Sequence, residues 1–341
     1  MEIKIDANKL RDELAVAVSV LEKKSTIPVL SNLVIDAQDQ VSVKATDLDC
    51  NVRTTFDAEV KSEGMVCVPG RKLFDVVRTL DGEVSLKSDG EAVRVACGRA
   101  KFRIGGVNVD RFPMMPFGKT TIEIPELKRL IAKTSFAITT DQTRYSLGGA
   151  KLIVKDGIAR MVTTDQHRLA TATCDAEGEL DILIPKKALL LATSLIGADD
   201  NNVYFESEGK SFSARLLTGS FPNWEMAMPK DHAYSIEVDV ESFRNAVKRI
   251  ALVADERNQS VRVAVADNEL LVMASTSEEE GSESFEIDYS GEAFTFGFNY
   301  KYLLDALSVS DDTITWSFKD ANNACSFTKD SVTVVVMPLR V

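Results

Sequence analysis

The chain carries the same pattern three times, at a spacing of about 115 residues. Helix-like segments begin around Leu10, Leu127 and Phe243. A second set of helix-like segments follows Pro69, Pro185 and Asn299. A fixed long period is typical of repeat architectures, in which each copy is one structural unit. The sequence therefore predicts three similar units rather than one large domain.

Each copy reads as a helix, strands, a second helix and further strands. In the first copy, Leu10, Leu14 and Leu21 lie at helical spacing, whereas Val41–Ala45 alternates as a strand does. The predicted helices cover 8–24, 71–80, 126–138, 186–196, 240–254 and 299–308. The pattern predicts an α+β fold with two helices packed on antiparallel sheets in each unit. We expect the units to span 1–119, 120–232 and 233–341.

The cysteines argue against a secreted, disulfide-linked protein. There are five, an odd number, and no two are closely spaced. The N-terminal residues contain no apolar signal core, and no apolar run of about 20 residues occurs. These features favour a cytoplasmic protein with reduced thiols and no membrane segment.

Charge is distributed unevenly along the chain. The net charge is −12, which at first argues against binding an acidic polymer. The six predicted helices, however, contain sixteen basic residues and seven acidic ones. One interpretation is that the helices share a surface that attracts phosphates. The other is that they are ordinary solvated helices, because Lys and Arg are good helix formers.

The most distinctive short string is Thr164–Leu169, which reads TDQHRL. An enzymatic hypothesis would make Asp165 and His167 an acid–base pair. No nucleophile elbow accompanies them, and His232 is the one other histidine in the sequence. The cysteines and histidines lack metal-ligand spacing, and no phosphate- or dinucleotide-binding glycine pattern occurs. The sequence therefore predicts no enzyme activity, no metal and no cofactor, and the acidic run at Glu278–Glu283 is interpreted as a solvated hairpin tip.

The C-terminal segment is strongly apolar. A final strand accounts for Val332–Val336, but Pro338 would end strand pairing, so Met337–Leu339 needs another explanation. These residues either anchor in the core or form one wall of a peptide-binding groove. The residue pattern by itself leaves both alternatives open.

Along essentially its whole length, the chain resembles the bacterial DNA polymerase III beta subunits, the sliding clamps. Seven strings carry the resemblance, and their order and spacing agree with the threefold repeat. They begin at Thr26 (TIPVLSNL), Ala45 (ATDL), Val68 (VPGRKLFD), Thr143 (TRYSLGG), Thr164 (TDQHRLA), Tyr289 (YSG) and Val335 (VVMPLRV). The resemblance implies a head-to-tail dimer, a ring of six domains whose helices line a hole that encloses duplex DNA.

For DNA, the resemblance implies sequence-independent contacts from the basic helices. The expected DNA-facing residues are Lys24, Arg71, Lys72, Arg78, Lys128, Arg129, Lys186, Lys187, Arg244 and Lys248. For the ring, it implies that Phe102 and Ile104 of one chain pack against Leu252 and Val253 of the other. The clamp would be held on DNA by closed topology, in the cytoplasm with the nucleoid.

The resemblance also implies a groove for short linear peptides. Its partners would be the DNA polymerase III catalytic subunit, the clamp loader, and other polymerases and repair proteins. The groove residues would be Leu147, Thr164, His167, Arg168, Leu169, Pro222, Val335, Val336, Met337, Pro338, Leu339 and Arg340. Three positions depart from the usual pattern of the family. Gln166 replaces the usual glycine, Met226 replaces a common arginine, and Asn258 replaces a usual aromatic residue.

Three hypotheses therefore enter the structural description. The first is a processivity clamp, dimeric, without catalytic activity. The second is an enzyme that uses Asp165 and His167. The third is an open, monomeric repeat scaffold without a nucleic acid partner. A protein that is monomeric in solution and shows no salt-dependent binding to DNA would favour this hypothesis.

Overall fold

The computed structural model describes residues 1–22, 27–38, 40–141 and 143–340. Within these ranges there are six α-helices. They are α1 (Ala7–Val20), α2 (Gly70–Val77), α3 (Leu127–Thr134), α4 (Lys186–Leu189), α5 (Val240–Ile250) and α6 (Tyr300–Leu307). Among the described helices, none is both long and apolar enough to cross a membrane.

The strands of the first half of the chain are short and closely connected. They are β1 (Glu2–Asp6), β2 (Asn32–Ala37), β3 (Val41–Thr46), β4 (Cys50–Phe56), β5 (Glu59–Ser62), β6 (Gly64–Pro69), β7 (Glu83–Asp89), β8 (Ala92–Cys97), β9 (Ala100–Ile104), β10 (Ile122–Glu123), β11 (Gly149–Lys155) and β12 (Ile158–Thr164).

The second half continues the same alternation. Its strands are β13 (Arg168–Asp175), β14 (Leu180–Pro185), β15 (Leu195–Ala198), β16 (Asn202–Ser207), β17 (Lys210–Arg215), β18 (Tyr234–Asp239), β19 (Ser260–Ala266), β20 (Glu269–Ser275), β21 (Glu280–Glu286), β22 (Phe294–Asn299), β23 (Thr313–Phe318), β24 (Cys325–Lys329) and β25 (Val332–Val336).

Side-chain caps fix where the longer helices begin. The Asp6 carboxylate accepts hydrogen bonds from the backbone N–H groups of the first turn of α1, and Asp239 does the same for α5. Asn299 caps α6 through the backbone N–H of Lys301. These side chains satisfy donors that a helix start leaves free. A strand ends at each cap residue, so the strand-to-helix step is repeated along the chain.

Several of the predicted helix ranges are too long, since α2, α3 and α5 end three or four residues before the expected 80, 138 and 254. The first was expected to reach Lys24, but α1 ends at Val20, and Lys24 lies outside the described residues. The fourth was expected over 186–196, but α4 has four residues and β15 follows. The Thr193 hydroxyl donates to the carbonyl of Glu206, 2.8 Å away. Such side-chain bonds to backbone, with the pairing of β15 on β16, outweigh helix propensity here.

One compact unit comprises Met1–Pro125 and Lys187–Leu216. It holds a five-stranded sheet of order β5-β1-β7-β8-β9 and an eight-stranded sheet of order β10-β15-β16-β17-β4-β3-β2-β6. Helix α1 packs against α2, β3 and β4. The apolar positions predicted for α1, such as Leu10, Leu14 and Ala17, are fully buried.

The other compact unit comprises Glu126–Lys186 and Leu217–Val341. Its eight-stranded sheet has the order β14-β11-β12-β13-β25-β24-β23-β18, and its four-stranded sheet the order β21-β20-β19-β22. The central pairing of β13 with β25 is antiparallel and joins segments more than 150 residues apart. Helix α3 packs on β12 and β13, and α5 packs on α6, β20 and β21. The run Glu278–Glu283, predicted to be a hairpin tip, covers the end of the β20–β21 connection and the first four residues of β21, which pair with β20.

Aromatic side chains fill the core of this second unit. Trp316 is fully buried and stacks on Phe327, with ring centroids 5.7 Å apart. Phe296 and Phe318 meet the same indole at 5.0 Å. Edge-on and offset contacts of this kind add to the free energy of burying the rings. All five cysteines are free thiols, and burial raises the pKa of Cys67 to about 11.

Candidate functional site

A cavity of about 580 Å³ opens in the second unit beside the pairing of β13 with β25. We call it the β13–β25 cavity. Leu169 on β13 lies opposite Val335 on β25, and both join Val162 in a buried apolar cluster. Partly buried apolar side chains cover this cluster, namely Phe221, Trp224, Met228 and Ala324. The result is an apolar surface, which is the usual lining of a ligand cleft.

The turn that joins β12 to β13 forms one rim of the cavity. The Thr164 hydroxyl accepts a hydrogen bond from the backbone N–H of Gln166 (3.1 Å) and donates one to the carbonyl of Arg168 (2.7 Å). The Asp165 carboxylate accepts from the backbone N–H groups of His167 and Arg168, each at 3.0 Å. Thr and Asp are suited to this because their short side chains reach their own backbone. The turn is therefore rigidly defined.

Arg168 holds this turn against the neighbouring elements. Its guanidinium forms ion pairs with Asp165 (3.1 Å) and with Asp305 on α6. It also donates to the carbonyl of Phe136 (2.7 Å) and lies 4.4 Å from the ring centroid of Tyr302. Only 10% of the side chain is exposed. Arg168 therefore lines the cavity with a guanidinium whose position is fixed by its ion pairs and hydrogen bond.

Arg168→Ala is expected to lower the free energy of unfolding by about 2 kcal/mol, because it removes charged hydrogen bonds and leaves two carboxylates without their partner. Denaturant unfolding of the two proteins measures the difference. Arg160→Ala is the matched control, since Arg160 is also half-buried and contacts an aromatic ring but forms no ion pair within the described residues. Equal stability of Arg168→Ala and wild type would contradict the role given to the guanidinium.

His167 is placed by stacking, not by an acid–base contact. Its ring is stacked on Tyr302 at 6.2 Å, and its carbonyl accepts from the backbone N–H of Met337 at 3.0 Å. Burial, with Asp165 nearby, raises the pKa of the Tyr302 hydroxyl. In the described part of the chain, no hydrogen bond joins the Asp165 carboxylate to the His167 ring. The geometry gives the enzymatic hypothesis no support.

His232 is one of the polar residues that line the cavity. Its Nε2 lies 2.8 Å from the Ser326 hydroxyl, while its buried Nδ1 has no hydrogen-bond partner within the described residues. Burial lowers the pKa of this imidazole, so the ring is neutral at pH 7. Lys319 and Asn323 also line the cavity. The lining therefore combines these polar side chains with the apolar ones described above.

Seven of the residues predicted for a groove line this cavity. They are Thr164, His167, Arg168, Leu169, Pro222, Val335 and Met337. Leu147 and Val336 are buried instead, at 3% and 0% exposure. Leu339 and Arg340 line a separate cavity of about 390 Å³ together with Asn258, and Pro338 connects the two. The structure thus places nine of the twelve predicted residues in the lining of two cavities, and Leu147, Val336 and Pro338 in neither lining.

Several cavity residues were not predicted from the sequence. They include Trp224, Met228, Pro229, His232, Asn323 and Ala324. The interval from Phe221 to Pro229 has two prolines, a tryptophan and two methionines in nine residues, and that density of apolar side chains in a loop was the available signal. Trp224 is half-buried against the apolar cluster.

The basic residues of the first unit differ in how far they are engaged. Arg71 donates to the carbonyl of Leu21, Arg78 pairs with Asp75 (3.2 Å), and Lys187 pairs with Asp47. The Lys72 ammonium is exposed and makes no hydrogen bond or ion pair within the described residues.

The second unit shows the same division. Arg129 donates to the carbonyl of Thr173 (2.8 Å) and pairs with Glu126, and Arg244 donates to the carbonyls of Leu307 and Ser310 (2.8 and 2.7 Å). Three exposed lysines make no hydrogen bond or ion pair within the described residues: Lys128, Lys186 and Lys248. The arginines are thus largely structural, whereas these lysines are free to meet an anion.

Each unit also has an edge strand that is paired with a neighbour on one side only. In the first unit this is β9, where Phe102 is 40% exposed and Ile104 is buried. In the second unit it is β21, and in that unit Leu252 is 83% exposed and Val253 half-buried. Strand β9 carries Lys101 and Arg103, while β21 reads EGSESFE. Unpaired edges are templates for pairing with another chain.

Comparison with known proteins decides which family these features belong to. The DNA polymerase III beta subunit models match in three parts: the N-terminal domain over residues 1–116, the central domain over 121–223 and the C-terminal domain over 225–340. The chain belongs to the DNA polymerase III beta subunit family, the beta sliding clamps. It is a clamp of DNA replication that confers processivity, and it is not an enzyme.

The relatives match this clamp from end to end. The beta sliding clamp of Pseudomonas putida is 30% identical over 366 aligned residues and that of Caulobacter vibrioides 32% over 372, each with full coverage of both chains. Among solved structures, the Pseudomonas aeruginosa beta subunit has a TM-score of 0.95 at 28% identity, and the Caulobacter crescentus one 0.94 at 32%. Both cover all of this chain. A further Pseudomonas aeruginosa clamp structure contains bound griselimycin and has a TM-score of 0.94.

Proposed function

We propose that the β13–β25 cavity is the surface through which this clamp binds its protein partners. The observation that carries the proposal is the cavity that opens beside the buried apolar cluster of Val162, Leu169 and Val335, next to a turn fixed by Arg168. The partners are the DNA polymerase III catalytic subunit, the clamp loader, and other polymerases and repair proteins. Each would insert apolar side chains of a short extended segment into the cavity.

We further propose that the exposed helix lysines meet the phosphates of enclosed duplex DNA. Lys72, Lys128, Lys186 and Lys248 support this, because their charges are not neutralised by hydrogen bonds or ion pairs within the described residues. Isolated ammonium groups make phosphate contacts that carry no sequence information. Weak contacts of this kind allow sliding. Arg129 and Arg244, which bind backbone carbonyls, would mainly shape the surface that carries the lysines.

For ring closure, we propose that β9 of one chain pairs with β21 of a second chain. Lys101 and Arg103 on β9 complement Glu280 and Glu286 on β21 in charge. Phe102 would then be covered by the other chain. Two identical contacts of this head-to-tail kind close a dimer without leaving either edge free.

Phe102→Asp is expected to weaken dimerisation about thirtyfold or more, because a central aromatic in an interface commonly contributes over 2 kcal/mol. Sedimentation velocity measures the mass, for which the dimer is twice the 37.4 kDa chain. Ile158→Asp is the control, since Ile158 begins a strand and is equally exposed, 43% against 40%. A wild-type protein that sediments as a monomer at micromolar concentration would contradict the ring and favour an open scaffold.

We place this clamp in the cytoplasm, with the nucleoid, because duplex DNA and the replicative polymerase are its partners. The acidic balance outside the helices, within a net charge of −12, discourages non-specific contact of the rest of the surface with DNA.

A further inference from the structure

The turn at the rim of the β13–β25 cavity has a twin in the other unit. In the first copy of the repeat, the Thr46 hydroxyl accepts from the backbone N–H of Leu48 at 2.9 Å, and the Asp47 carboxylate accepts from those of Asp49 and Cys50 at 3.0 and 2.7 Å. Thr164 and Asp165 make the corresponding bonds in the second copy. The two turns therefore share one hydrogen-bond pattern.

The third residue of both turns has a left-handed backbone. Leu48 has φ +81° and Gln166 has φ +78°. A residue with a Cβ is disfavoured there, and glycine is the residue that adopts this conformation at low cost. The hydrogen bonds around each turn hold the conformation in place. Strain of this kind is retained where the surroundings over-determine it, and it is concentrated at functional positions.

What distinguishes the two turns is what the third side chain faces. Gln166 is exposed and lines the β13–β25 cavity. Its carboxamide makes no hydrogen bond within the described residues, although it offers two donors and an acceptor. The polar groups of Thr164, Asp165 and Arg168 are engaged within the protein. On this turn, two side chains keep hydrogen-bonding capacity for a ligand within the described residues: the Gln166 amide, and the His167 ring, whose stacking on Tyr302 does not use its in-plane nitrogens.

We propose that Gln166 is an affinity-determining residue whose carboxamide hydrogen-bonds the main chain of the docked peptide, next to the apolar side chains that fill the cavity. This rests on the proposed function of the cavity. An extended peptide that inserts apolar side chains still carries unpaired N–H and C=O groups, which lose water as it docks. Leaving them unpaired is costly, so a carboxamide at the apolar rim favours binding.

The test begins with a peptide selected for the wild-type protein. A random hexapeptide phage library is panned against the full-length clamp, and the tightest binder is synthesised with a fluorescent label. Its dissociation constant is then measured for wild type, Gln166→Gly, Gln166→Ala and Leu48→Gly, together with each melting temperature. Gln166→Gly relieves the strain and removes the amide, Gln166→Ala removes only the amide, and Leu48→Gly relieves the matching strain away from the cavity.

Both Gln166 variants are expected to bind the peptide about fivefold more weakly, the loss that one hydrogen bond gives. Leu48→Gly is expected to bind it as wild type does, and neither glycine variant should melt at a lower temperature. A series of peptides is then made, each N-methylated at a different backbone amide. Methylation at one of these amides should weaken binding to wild type but leave binding to Gln166→Ala unchanged. That pairing would identify the main-chain group that Gln166 contacts.

Three outcomes would overturn the inference. Wild-type affinity in Gln166→Ala would show that the carboxamide is not used. If Gln166→Gly loses peptide affinity but Gln166→Ala does not, or if Leu48→Gly loses as much affinity as the Gln166 variants, the effect comes from backbone flexibility. By contrast, a library that yields no binder, or a binder that Met337→Asp does not weaken, would refute the proposed function of the cavity itself.

Discussion

Once its clamp loader has placed it on a nicked circular duplex, this clamp is expected to stay on the DNA, and to be lost almost completely when the circle is cut once. The reason is topological, because a closed ring has no way off a circle, whereas it slides off a free end. Gel filtration of the loaded DNA before and after cleavage measures the retained protein. The proposed β9–β21 contacts would have to open for any other escape.

Salt separates this topological link from ordinary binding. A protein held by six to ten phosphate contacts loses about 10³–10⁵ in affinity between 50 and 200 mM salt. Lys72, Lys128, Lys186 and Lys248 would supply contacts of that kind. The amount retained on the circle should nevertheless be nearly independent of salt, while the rate of sliding off a linear molecule should change.

Linear DNA with both ends blocked by bulky bound proteins is the control for this experiment. It should retain the clamp as the circle does, although its sequence and length equal those of the unblocked linear DNA. Equal retention on circular and unblocked linear DNA would mean that the clamp grips the duplex directly. Phe102→Asp, which weakens the proposed ring contact, should be lost from the circle as well.

The fold could be predicted well where a single helix or strand determines the pattern. The apolar stripe of Leu10, Leu14 and Ala17 identified α1, and its side chains are fully buried. The prediction of a helix over 186–196 was wrong because the apolar residues there suit a helix and a strand alike. The pairing of Leu195–Ala198 with β16 decides in favour of a strand. Helix propensity contains no information about a partner strand.

The site could be predicted only in part. Its turn, Thr164–Arg168, stood out because its short polar side chains bond their own backbone. The pairing of that turn with β25 is a contact across more than 150 residues, which no periodicity reveals. The resemblance to a family supplied it. Trp224 and Ala324 were missed because an apolar side chain on a loop looks the same in sequence whether it packs or binds.

Deletion of residues 337–341 is expected to weaken peptide binding at least about a hundredfold, because it removes an apolar wall and its backbone anchor, together worth over 2.7 kcal/mol. Met337 lines the β13–β25 cavity and is 45% exposed, and its N–H bonds the carbonyl of His167. Strand β25 ends at Val336, so the sheet and the dimer should remain. Fluorescence anisotropy with the selected hexapeptide measures the loss, and sedimentation checks the dimer.

Deletion of residues 339–341 alone is the matched control, since it shortens the same tail but keeps Met337. Leu339 and Arg340 line the separate 390 Å³ cavity, and the Leu339 N–H bonds the carbonyl of Gly297. If only the β13–β25 cavity binds the peptide, this shorter deletion should change affinity less than about threefold, within the ~0.6 kcal/mol expected of distant contacts. Equal losses from both deletions would instead join the two cavities into one peptide site. Unchanged affinity in the longer deletion would remove the tail from the site altogether.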